Sequence, residues 1–200
     1  TLDIIGRKAS VEQVLTAYRL AREVGFDNIN MDLILGLPGE LEADVQRTID
    51  RVVELAPDSL TVHSLAIKRA SRLNQWIQEN GVSMLHNTDE TMKIAAAGAE
   101  KLGMKPYYLY RQKYMSGSFE NIGWCRSGGE CWYNVDIMSE LCSILSFGAG
   151  GSTKMVEPGT NHIERVFNLK YPKEYTERPE KVLANQAAFA EFYAKYVPET

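Results

Sequence analysis

The 200 residues are 44% hydrophobic and 24% charged, an ordinary composition for a water-compatible chain with enough apolar material for one sizeable core. A formal charge of −4 and a pI near 5.5 argue against a nucleic-acid-binding face, because phosphate contacts need clustered Lys and Arg and the basic runs here are pairs such as Arg7-Lys8 and Lys68-Arg69. No membrane span is visible in the sequence, and Cys125, Cys131 and Cys142 have neither CxxC spacing nor a signal peptide before them, which fits free thiols in a reducing cytoplasm.

The chain opens at Thr1 without an initiator methionine, the expectation for a piece of a longer protein. Ser10 and Gln13 have the form of a capping box, and Val14, Leu15, Tyr18 and Ala21 then share a helical face that Gly25 ends. A strand is predicted over 28–35, running into Gly36-Leu37-Pro38-Gly39, a turn that a structural loop and a ligand-holding rim would share. Val45, Ile49, Val52 and Val53 recur at helical spacing up to Pro57, and 60–65 reads as the next strand. Strand to strand is about thirty residues, the length of one βαβ unit, so the two strands should be parallel neighbours.

Thr88 is placed to cap a helix with Met92, Ala96 and Leu102 on its apolar side, ending at Gly103. Pro106 to Tyr110 has strand composition, 116–121 reads as loop, and 123–133 suggests a hairpin around Ser127-Gly128-Gly129. A short buried strand is predicted over 143–147, leading into glycines at 148, 150 and 151 that lack both the Walker and the dinucleotide spacing. The tail over 171–197, with Phe189, Phe192 and Tyr196 at helical spacing, reads as a packing helix.

Residues two apart share a face of a strand, so Asn30, Asp32 and Ile34 point one way while Met31, Leu33 and Leu35 point the other. The next strand repeats this, with Thr61 and His63 opposite Leu60 and Val62. Parallel strands covered by helices on both faces read as nearly continuous apolar runs, and these do not. A sheet apolar on one side and polar on the other is more naturally the wall of a barrel holding a polar ligand, with Asp32 suited to sugar hydroxyls. The alternative is that Asp32 caps the following helix or pairs with a structural Arg.

The run IGRKASVEQVLTAYRLAREVGFDNINMDLILGLPGE resembles the later half of the catalytic barrel in the radical S-adenosylmethionine (SAM) enzymes of the oxygen-independent coproporphyrinogen III oxidase family. TVHSLA resembles that family's next barrel strand, and YYLYRQKYMSGSFENIGW and ILSFGAGGSTK are similar to the C-terminal region of the coproporphyrinogen dehydrogenase branch of HemZ type. The fold class this implies is α/β: the C-terminal half of a radical SAM partial (β/α) barrel over 1–112, followed by a small α+β region over 113–200.

By position, the resemblance assigns SAM binding to Arg7, Asp32, His63 and Ala66, although relatives often carry an aromatic residue where His63 stands. It implies a [4Fe–4S] cluster bound by a CxxxCxxC loop, which this chain lacks. The cluster would then belong to an N-terminal region of the same polypeptide, and the chain alone should hold no metal, supply no catalytic residue and be inactive. The implied reaction of the whole enzyme is oxidative decarboxylation of coproporphyrinogen III propionates to vinyls, giving protoporphyrinogen IX, with an external electron donor.

In the strip from Tyr110 to Tyr114, Arg111 and Lys113 between aromatic residues would suit a flat anionic tetrapyrrole, and an exposed strand edge with basic residues would look the same. The rival class is a haem-binding or haem-delivering protein of the same family, with axial ligands sought among His63, His86, His162 and the cysteines. A radical SAM enzyme acting on another tetrapyrrole is a third reading.

Overall fold

The structure is a computed structural model that describes residues 4–67, 72–81, 85–111, 117 and 119–196. The chain divides into two compact units, Thr1–Cys131 and Trp132–Thr200.

In the first unit, α1 (Val11–Glu23) starts from the capping box anticipated, Ser10 and Gln13 exchanging side-chain to backbone hydrogen bonds at 2.8 and 3.2 Å. β1 (Asn30–Leu35), α2 (Glu42–Leu55) and β2 (Ser59–Ser64) form the expected βαβ unit, with β1 and β2 parallel and Asp32 opposite Thr61. α3 (Arg72–Asn80) precedes α4 (Asp89–Lys101), which Thr88 and Thr91 cap reciprocally. β3 (Lys105–Tyr110) and β4 (Asn121–Cys125) complete the sheet. Its order is β1-β2-β4-β3, and β4 runs antiparallel to both of its neighbours.

One face of this sheet carries the core. Val45, Ile49 and Val52 of α2 and Ala95 and Ala99 of α4 pack with Leu35, Leu60, Val62 and Trp124. The helices approach so closely that a Cβ at Gly98 would lie 2.3 Å from Ile49 Cγ2, so only glycine fits there. At the amino ends of the strands, Asp58 accepts from the Ile29 amide at 2.8 Å and pairs with Arg22 at 2.6 Å and Arg126 at 3.4 Å. Burial pushes the Asp58 carboxyl up, but the Ile29 amide and Arg22 outweigh it and hold the group below the ordinary carboxylate range.

Several expectations need correction. The predicted hairpin over 123–133 does not form: β4 is paired on both edges and the chain turns at Gly129 into α5 (Trp132–Ser139) instead of folding back. β4 belongs to the first sheet, and the first compact unit runs to Cys131. In the second unit, β5 (Ser152–Val156) and β6 (Ile163–Phe167) pair antiparallel. The segment 143–147 is no strand. A single bridge joins Ile144 to Lys154, Leu145 and Phe147 are exposed, and side-chain bonds from Ser143 and Thr153 replace a ladder. The tail is two helices, α6 (Pro172–Glu177) and α7 (Pro179–Tyr196), with Pro179 at the break and Phe192 buried.

Candidate functional site

The sheet's other face is polar, as the alternation in β1 and β2 requires. Asn30 Nδ2 donates to Asp32 Oδ1 at 2.7 Å, and Thr61 Oγ1 donates to Asn30 Oδ1 at 3.2 Å. His63 Nε2 stands 3.8 Å from the same Asp32 oxygen, an electrostatic contact longer than a hydrogen bond. On its far side, His63 Nδ1 lies 3.2 Å from the Tyr110 hydroxyl, and the two rings meet edge-on. His63 foremost, then Asn30 and Thr61, hold the Asp32 carboxyl below its ordinary range against the opposing effect of burial. The Asn30 and His63 contacts both fall on Oδ1 and 64% of the side chain is exposed, so the carboxylate keeps acceptor capacity for a ligand. Asp32 therefore neither caps α2 nor pairs with a structural Arg among the described residues.

Tyr108 and Tyr110 were not picked out as members of this face, although two tyrosines at strand spacing are the signal that could have found them. Their rings stack within 2° of parallel at 6.1 Å. The Tyr108 ring lies over Gly123, where a Cβ would fall 1.9 Å from its Cε1 atom. Gly123 is thus a space requirement, not a turn. Burial raises the Tyr108 phenol, with a hydrogen bond to Thr61 opposing it. Asn121, 2% exposed, accepts from the Ser64 amide at 2.8 Å, at the carboxyl end of β2.

The remaining candidates are more dispersed. Gly36 and Gly39, at φ of 81° and 75°, form the turn at the carboxyl end of β1, and Pro38 bridges to Leu85. Ala66 is half-buried just past β2. Arg7 is exposed in the segment before α1, and no contact ties it to Asp32 among the described residues. Arg111 follows β3 and pairs with Glu120 at 2.8 Å, with 58% of its side chain exposed. Lys113 lies outside the described residues. His86 is exposed, and His162 belongs to the second unit, where it contacts Glu164 at 2.9 Å. Cys125 is buried and Cys131 and Cys142 are exposed; no group of three His, Cys, Asp or Glu residues able to hold a metal occurs among the described residues. No helix among them is long and apolar enough to cross a membrane.

A model of the Radical SAM superfamily matches residues 1–52. The chain is 40% identical over 178 residues to the oxygen-independent coproporphyrinogen-III oxidase-like protein HemZ of Bacillus subtilis, covering 89% of this chain and 36% of that protein. It is 27% identical over 159 residues to the heme chaperone HemW of Mycobacterium tuberculosis, covering 76% of this chain and 35% of the relative. In fold it matches coproporphyrinogen III oxidase (HemN) of Escherichia coli, described as a radical SAM enzyme, with a TM-score of 0.58 and 19% identity, over 90% of this chain and 40% of that one. The class defined is thus a radical SAM α/β fold, of which the chain spans roughly a third to two fifths of its relatives' length. Within that class the chain is similar to the coproporphyrinogen III oxidase-like proteins.

Proposed function

We propose that these residues form the SAM-facing wall of a radical SAM enzyme of tetrapyrrole biosynthesis, one that oxidatively decarboxylates coproporphyrinogen III propionates to vinyl groups. The observation that carries the reading is Asp32: a carboxylate on the polar face of a parallel strand, kept ionised by its neighbours and open to solvent. Such a group accepts hydrogen bonds from a ribose diol. Bound SAM and its cluster supply hydrogen-atom abstraction, and this chain's residues bind and orient. Asp32 would take the ribose hydroxyls, His63 and Ala66 would flank the adenosine, and Arg7 would reach SAM from the segment before α1. Arg111 and Lys113 would address the substrate's propionates, Arg111 exchanging Glu120 for a substrate carboxylate. The 40% identity to the HemZ protein supports this reading. The cluster's cysteines, an electron donor and the rest of the polypeptide complete the proposal.

The test is anaerobic assay of the reconstituted full-length protein for 5′-deoxyadenosine, with and without coproporphyrinogen III. Substrate-dependent product with vinyl formation supports the reading. Slow SAM cleavage with tight haem binding and no decarboxylation supports the second reading, haem handling, which the HemW relatives favour. Asp32→Ala should weaken SAM binding, whereas Arg111→Ala should spare SAM and weaken substrate binding.

A further inference from the structure

Asp32, His63 and Tyr110 come from three strands, β1, β2 and β3, and stand in a line: carboxylate, imidazole, phenol. The direction of the protons along that line follows from electrostatics. A neutral imidazole with its proton on Nδ1 would turn the Nε2 lone pair toward the Asp32 oxygen 3.8 Å away, lone pair against anion. With the proton on Nε2, that contact becomes attractive, and Nδ1 is left as an acceptor. The Tyr110 hydroxyl, 3.2 Å from Nδ1, is the donor that acceptor needs. The ring of His63 is held at the same time by its edge-on contact with Tyr110, whose own ring is stacked on Tyr108, and Tyr108 is seated over Gly123. A column of packed rings on β3 therefore fixes the imidazole that addresses Asp32. The imidazole and Asn30 both address Oδ1, and much of the carboxylate stays exposed.

We infer that Tyr110 is a positioning residue for Asp32, acting through His63: the phenol fixes the imidazole's tautomer and orientation, and the imidazole presents the carboxylate to a vicinal diol. Asp32 touches the ligand and Tyr110 does not. The 3.8 Å contact shortens when a diol draws the carboxylate into place, as hydrogen bonds long in a free protein commonly tighten on binding. The inference rests on the nucleoside reading of Asp32 and adds to it a support built from β2 and β3.

Calorimetric binding of adenosine and of 2′,3′-dideoxyadenosine, which differ only in the diol, isolates the interaction in question. In the unmodified protein, adenosine should bind more tightly. Tyr110→Phe keeps the ring and removes the donor, and it should cut that preference about fivefold, the worth of one hydrogen bond, with dideoxyadenosine unaffected. His63→Ala should cut it at least as far, and His63→Gln, which retains a donor and an acceptor, should restore part of it. Nitrogen-15 spectra of His63 should place its proton on Nε2. Equal loss of both ligands in Tyr110→Phe, an unchanged preference, or a proton on Nδ1 overturns the positioning role alone. If the unmodified protein shows no preference for the diol, the nucleoside reading of Asp32 falls and the positioning role falls with it.

Discussion

The two faces of the first unit's sheet are built by opposite means. On the helix-covered face, Leu60 and Val62 are 1% exposed and α2 and α4 pack so closely that Gly98 has no room for a methyl group beside Ile49. On the other face, Asp32 and His63 on the same two strands stay partly open, and specific polar contacts fix their geometry. Alternate residues of a single strand thus serve two purposes. The packed face sets where the strands lie, and the polar face uses that fixed position to hold a carboxylate at a defined point.

Substitutions should separate these purposes, beginning with the largest effect. Ile49→Ala should cost about 2–5 kcal/mol in denaturant unfolding, the range for emptying a packed site, while leaving ligand preference unchanged in the folded fraction. A selective loss of diol binding there would break the distinction between the faces. Gly123→Ala should cost about 1–3 kcal/mol, because the new methyl displaces the Tyr108 ring, and should lower the tyrosine's raised pKa in an ultraviolet titration.

Asp58→Asn, at the amino ends of the strands, should cost about 1–2 kcal/mol at neutral pH through its lost pairing with Arg22. Because the folded carboxyl lies below its unfolded value, that stabilisation is present above the ordinary carboxylate range and is lost as pH falls through the folded value. The stability gap between wild type and variant should therefore close in acid, and a gap that widened would contradict the assignment. Smallest of all, Arg111→Ala breaks an exposed pair and should change stability by no more than about 1 kcal/mol, so any larger effect on substrate binding can be read as function.

The faces of β1 and β2 were legible because alternation is local: Asp32 and His63 reach the same side by counting in twos. The caps at Ser10 and Thr88 were legible for the same reason. The tyrosine column was not. It depends on β4 entering between β2 and β3, a strand order with no local signature, and only that order brings Tyr108 over Gly123 and Tyr110 to His63. The β5–β6 hairpin escaped for a different reason. Thr153, Lys154, Met155 and Val156 are all buried, so no alternation marks β5, and Lys154 is accommodated by donating to the Ile137 carbonyl at 3.2 Å. Pro179 was visible in the sequence, but the helical spacing of Phe189, Phe192 and Tyr196 lies entirely after it and left the break unmarked.

The buried amide of Asn121 has a wider consequence. It fastens the return of the β3–β4 connection to the Ser64 amide, at the carboxyl end of the strand that carries His63. A clamp at that point isolates the wall from whatever lies between Tyr110 and Asn121. The strand that carries His63, and with it the register that sets His63 beside Asp32, is thus anchored at its carboxyl end by a buried amide of its own.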